Sequence, residues 1–69
     1  MDRVPVSSSN IASVGYDASS LLLEVEFSNG RVYHYFDVAE MHFDALVSAG
    51  SVGGYFNQNI KPFHACAAT

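Results

Sequence analysis

Leu21-Leu22-Leu23-Glu24-Val25-Glu26-Phe27-Ser28-Asn29-Gly30-Arg31-Val32-Tyr33-His34-Tyr35-Phe36 is the stretch whose reading decides the fold. Leu21, Leu23, Val25 and Phe27 alternate with Glu24 and Glu26, the period of a half-buried strand. Ser28-Asn29-Gly30 is turn chemistry, and Arg31 to Phe36 is rich in aromatic and β-branched residues, so the whole predicts a β-hairpin. Two registers are open. A two-residue Asn29-Gly30 turn sets Phe27 opposite Val32 and turns His34 and Phe36 toward the core face. A three-residue loop with left-handed Gly30 in a G1 bulge sets Phe27 opposite Arg31. Tyr33 and Tyr35 then join Val25 and Leu23 on the core face, and His34 pairs with Glu24. One residue of slip exchanges every side chain between faces. The bulged register is preferred, because it sets an imidazole against the acidic face and supplies two large aromatics to a small core.

Outward toward the N-terminus, Ile11 to Tyr16 reads as a further strand, with Ala12, Val14 and Tyr16 on one face. Asp17-Ala18-Ser19-Ser20 is a turn cluster. Residues 1–9, with Pro5 and Ser7-Ser8-Ser9, read as a lead-in without a period. Outward toward the C-terminus, Asp37 with Glu40 three residues later suggests a capping box. A helix is expected from Val38 to about Ala49, ended by Gly50. Its apolar arc holds Val38, Ala39, Phe43, Ala45, Leu46 and Ala49, with His42 inside the arc as a hydrogen-bonded core histidine. Ser51 caps a second, shorter helix through Tyr55, Phe56 and Ile60, stopped by Pro62. Residues 64–69 read as a frayed tail, leaving 10–63 as the domain. The expected class is α+β: a three-stranded antiparallel meander followed by two helices packed on one face.

Composition narrows the function. The chain has 69 residues, 49% hydrophobic and 13% aromatic, with only 14% charged, against roughly a quarter charged in an average domain. Seven acids against three cations, Arg3, Arg31 and Lys61, give a net charge of −4, which excludes a strongly basic nucleic-acid binder. No apolar run is long enough to span a membrane, and the N-terminus lacks a signal-peptide core. A soluble, cytoplasmic chain is expected. The one cysteine, Cys66, excludes an internal disulfide and a zinc finger. His34, His42 and His64 fall on different elements and make no metal site by spacing. No nucleophile elbow is present. An enzyme is therefore not expected, nor a cofactor. Cys66-Ala67-Ala68-Thr69 has the outline of a prenylation box without the supporting basic stretch, so no membrane anchor is expected. A core of this size rarely supplies more than about 3–5 kcal/mol, which favours a homo-oligomer or a protein partner.

Ser9-Asn10-Ile11, Val14-Gly15-Tyr16-Asp17, the alternating Leu23/Val25/Phe27, Gly30, Tyr33-x-Tyr35, Val38, Leu46, Ala49, Ser51-x-Gly53-x-Tyr55-Phe56-Asn57 and Ile60 form a specific order. The stretch from Ser7 to Phe63 resembles the KTSC domain, named for a segment at the C-terminus of some lysyl-tRNA synthetases and found also as small free-standing bacterial and phage proteins. The resemblance implies a small α+β module of unsettled function, with RNA binding suggested by the synthetase context. Basic residues common around the family's last helix are represented here by Lys61 alone, beside Gly54 and Gln58.

Candidate binding residues follow from both lines of reasoning. Tyr33 and Tyr35 could stack bases, with Arg31 and Lys61 on phosphates; strand aromatics are also ordinary core residues. Ser51 and Gly53, at a helix N-terminus, could present backbone N–H groups to an anion, or serve as a cap and a site of close packing. Asn57 could bind a ligand or satisfy a buried backbone group. The expected function is a non-catalytic small binding module, acting by protein–protein interaction or self-association. The alternative is an RNA-binding accessory domain for tRNA or single-stranded RNA.

Overall fold

The computed structural model describes residues 1–69. It contains β1 (Arg3–Pro5), β2 (Ile11–Asp17), β3 (Leu22–Phe27), β4 (Val32–Tyr35), α1 (Glu40–Ser48), α2 (Val52–Asn59) and β5 (Cys66–Ala68). The α+β class stands, but the sheet has five antiparallel strands in the order β1-β2-β3-β4-β5, where three were expected. The residues read as lead-in and tail supply the two extra strands. Arg3–Pro5 pairs with β2 and Cys66–Ala68 with β4. Their side chains are exposed and carry no hydrophobic alternation, so backbone pairing alone recruits them.

The central hairpin adopts the bulged register. Leu23 faces Tyr35, Glu24 faces His34, Val25 faces Tyr33 and Glu26 faces Val32. The Phe27 amide donates to the Arg31 carbonyl at 2.8 Å, and the Gly30 amide to the Phe27 carbonyl at 2.9 Å. Gly30 has φ +88°, the left-handed position that this loop requires and that glycine occupies without steric cost.

β2 departs from its expected alternation. Ser13 faces Glu26 but Ile11 faces Phe27, so Ala12 is the extra residue of a bulge. The bulge turns Ile11 into the core, where it is fully buried, in the place expected for Ala12. Leu21, expected at the head of the core face of β3, instead has φ +53° and is exposed.

The first helix begins later than expected and has no capping box. Asp37 has φ +59°, which an N-cap residue cannot have. Ala39 takes the N-cap position with no side-chain hydrogen bond. The reason lies in Val38, which is fully buried. Its amide donates to the Leu21 carbonyl at 2.9 Å, and its carbonyl accepts from the Tyr16 hydroxyl. Both backbone groups of Val38 are thus committed to the sheet side before a helix can start. Burial, foremost, with the Glu40 and Asp17 carboxylates, raises the Tyr16 phenol pKa.

The second helix keeps its expected cap. The Ser51 hydroxyl accepts from the Gly54 amide at 3.1 Å. The Lys61 amide closes its end on the Phe56 carbonyl at 2.9 Å, just before Pro62.

The core comprises Ile11, Val14, Leu23, Val25, Tyr35, Val38, Leu46, Val52, Phe56 and Ile60. Phe56 is its hub, edge-on to Tyr35 at 5.1 Å and to Phe27 at 5.9 Å between ring centroids. Tyr16 stacks on Phe43 of α1 at 5.3 Å. The opposite face of the sheet is polar. There Arg3 lies 3.4 Å from a Glu24 oxygen and 3.7 Å from a Glu26 oxygen. His34 Nε2 lies 2.8 Å from Glu24, and the Ser13 hydroxyl donates to Glu26 at 2.8 Å.

Candidate functional site

Two distant stretches of the family-like pattern meet in space. The Ser7–Asn10 loop lies against the N-terminus of α2, and between them is an open polar depression of about 410 Å³ bordered also by Asn57. The loop is locally ordered. The Ser8 hydroxyl donates to Asn10 Oδ1 at 3.1 Å, and the Asn10 carbonyl accepts from the Ser28 amide at 2.9 Å, which ties the loop to the central hairpin. Gly53 is small because the loop sits on it. A Cβ there would lie 3.0 Å from Asn10 Oδ1 and 3.3 Å from Ser8 Oγ. The glycine thus permits close packing, as expected, but against a loop rather than against the sheet or the first helix. Val52 and Gly53 carry the first amides of α2, which have no acceptor within the helix. The arrangement can offer donors and hydroxyls to a small polar group. It holds no acid, base or nucleophile set for catalysis.

The other sequence-predicted residues do not join this depression. Tyr35 is 4% exposed beneath the helices. Burial, then the neighbouring Cys66, pushes its phenol up to about 12. A base cannot stack on a ring so covered. Tyr33 is half-buried and edge-on to Phe27 at 5.7 Å. Arg31 and Tyr33 border a second shallow depression together with Ala68 and Thr69. Lys61 is exposed beyond α2, and Arg3 lies against Glu24 and Glu26 on the polar face of the sheet.

His42 is half-buried, and its Nδ1 lies 3.0 Å from the Tyr55 hydroxyl. The His64 ring stands edge-to-face with it at 6.3 Å, and His64 Nδ1 donates to the Phe36 carbonyl at 2.9 Å. These side chains join the helices to the segment that leads into β5. No group of three or more His, Cys, Asp or Glu side chains is arranged to hold a metal ion.

Sequence reasoning missed the apolar end of the sheet. Leu21 precedes β3 and Phe36 follows β4, and the Phe36 amide donates to the Ala65 carbonyl at 3.0 Å, two residues beyond Phe63. Leu21 and Phe36 therefore flank the end of the sheet marked by the Leu23–Tyr35–Cys66 row, and Phe63 lies in the segment that leads into β5. They remain 42%, 41% and 72% exposed respectively. The only signal available was that Phe36 and Phe63 fall outside every amphipathic period. No helix is long and apolar enough to cross a membrane.

Comparison with known proteins places this geometry. An uncharacterised protein of Stutzerimonas stutzeri is 47% identical over 64 residues, covering 93% of this chain and 90% of the relative. A protein of Tsukamurella paurometabola is 41% identical over 58 residues, covering 84% and 87% respectively. The crystal structure of a KTSC domain protein from Yersinia pestis superposes with a TM-score of 0.95 at 38% identity, covering 99% of this chain and 96% of that one. The KTSC domain pattern itself matches residues 7–63, and the chain belongs to the KTSC domain family.

Proposed function

We propose that this chain is a non-catalytic binding module that acts through protein–protein contact, including contact with a second copy of itself. The observation that carries the reading is the exposure of Leu21 and Phe36 at one end of a small sheet, with exposed Phe63 in the segment that leads to it. Large apolar side chains gathered at one place are characteristic of contact surfaces, whereas single scattered ones are ordinary.

RNA binding is the second reading. Arg31 beside the half-buried Tyr33 offers one cation and one partly accessible ring. Three cations, one of them paired with Glu24 and Glu26, support only weak binding, because each phosphate neutralised contributes about −0.7 to the salt slope for a single strand.

Sedimentation velocity across a concentration series, with a pull-down from host lysate with and without nuclease, tests both. The expected result is a partly dimeric protein at micromolar concentration, or a protein partner retained after nuclease, with Phe36→Ser and Phe63→Ser weakening either. A monomer at every concentration, with only nuclease-sensitive capture, would replace this reading with the RNA one.

A further inference from the structure

The two edges of the sheet are built differently. Directly after β1 the Val6 amide donates to the Ala12 carbonyl at 3.1 Å, so alternation turns the backbone groups of Val4 and Val6 inward and those of Arg3 and Pro5 outward. The outward edge of β1 therefore has a proline with no N–H and an arginine held over Glu24 and Glu26. Proline and charge are two of the devices by which proteins prevent an edge from pairing.

β5 has neither. The Phe36 amide donates to the Ala65 carbonyl at 3.0 Å and the Thr69 amide to the Val32 carbonyl at 2.9 Å. Alternation then turns Ala67 toward β4 and leaves the N–H and C=O of Cys66 and Ala68 pointing away from the sheet. The strand is exposed, uncharged and free of proline, with small side chains at 67 and 68. Four directional backbone groups are thus presented in line, a pattern that matches another extended strand.

We propose that β5 pairs antiparallel with β5 of a second copy, about a two-fold axis at Ala67, joining the two sheets into one. In this register Cys66 faces Ala68 of the other copy as a hydrogen-bonded pair, and all four outward groups on each side are satisfied. Ala67 then faces its own counterpart as a non-hydrogen-bonded pair, where backbones approach to about 4.5 Å between Cα atoms. Alanine suits that close position. The guarded β1 edge determines the symmetry. A head-to-tail contact of β5 with β1 would meet Pro5, which cannot donate, so the pairing closes as a dimer instead of growing as a fibre. This inference rests on the self-association arm of the proposed function and adds a backbone contact to its apolar one.

The experiment is sedimentation of the wild type and of Ala68→Pro, with amide spectra of the ¹⁵N-labelled wild type across a concentration series. The Ala68 N–H points away from β4, so proline removes no hydrogen bond within the chain. Ala68→Pro is expected to weaken the dimer at least tenfold with the circular dichroism spectrum unchanged. In the wild type, amide shifts that depend on concentration should centre on Cys66 and Ala68 and spare Arg3 and Val4. A dimer as tight in Ala68→Pro as in the wild type, or concentration-dependent shifts confined to Leu21, Phe36 and Phe63, would overturn the edge pairing and leave self-association standing. Should Ala68→Pro fail to fold, the wild-type amide shifts decide alone. A monomer with no concentration-dependent shifts would overturn both the pairing and the self-association arm.

Discussion

Tyr35 should make the fold sensitive to alkaline pH, and Tyr35→Phe should reduce that sensitivity. The Tyr35 phenol is pushed from 10.0 up to about 12 in the folded chain, first by burial and then by negative charge on the adjacent Cys66. Below pH 10 both folded and unfolded chains hold the proton, and its contribution to stability is fully present. Between pH 10 and 12 the unfolded chain releases it while the folded chain keeps it. The unfolded state then binds fewer protons, so stability falls as pH rises. Two pH units correspond to a ceiling of about 2.7 kcal/mol. The exposed β5 strand beside Tyr35 admits solvent screening, which brings the expected loss to about 1–2 kcal/mol. That is a large share of the roughly 3–5 kcal/mol that a core of this size supplies. The assay is urea unfolding followed by circular dichroism at pH 8.5 and pH 11 for wild type and Tyr35→Phe. The phenylalanine ring keeps the edge-on contact with Phe56. The raised Tyr16 phenol is common to both proteins and cancels in the comparison. At pH 11 only about one of the two pH units has been crossed, so after screening the wild type should lose about 0.5–1 kcal/mol more than the variant between the two pH values. Parallel losses in the two proteins would refute the argument that burial of Tyr35 holds its proton.

Other positions give independent tests. Leu21 occupies the left-handed region at φ +53° while exposed, so Leu21→Asn should raise stability by about 0.5–1 kcal/mol in thermal unfolding. Ser51→Ala removes the acceptor for the Gly54 amide and should cost about 1 kcal/mol in urea titration. Gly50→Ala meets no atom within 4 Å and should stabilise by about 0.4–1 kcal/mol. Gly53→Ala, whose Cβ would lie 3.0 Å from Asn10 Oδ1, should gain nothing in stability and should shift the amide resonances of Ser8 to Asn10.

Phe27 to Arg31 was legible in the sequence because everything that decides it is local. A glycine able to take φ +88° sits at the one position where the bulged loop needs it, and the acidic face of β3 selects an imidazole opposite. Ser51 was legible for the same reason, since its hydroxyl and the amide that it caps are three residues apart. Asp37 shows where local reasoning fails. Its spacing to Glu40 satisfies the capping pattern, but Leu21 and Tyr16 hold the backbone of the intervening Val38 from across the fold.

The candidate surfaces divide in the same way. Ser9-Asn10 and Ser51-x-Gly53 could be recognised as segments that carry a family resemblance, but only folding brings the Asn10 amide group against Gly53. Alternation and capping are written in side chains a few residues apart, so the sequence alone determined the central hairpin, the two helices and the identity of most of the core. β1 and β5 were decided by the tertiary structure. Their partners lie 8–12 residues away and 31–35 residues away in the chain respectively, and backbone hydrogen bonds that any residue except proline can make leave no trace in three exposed side chains.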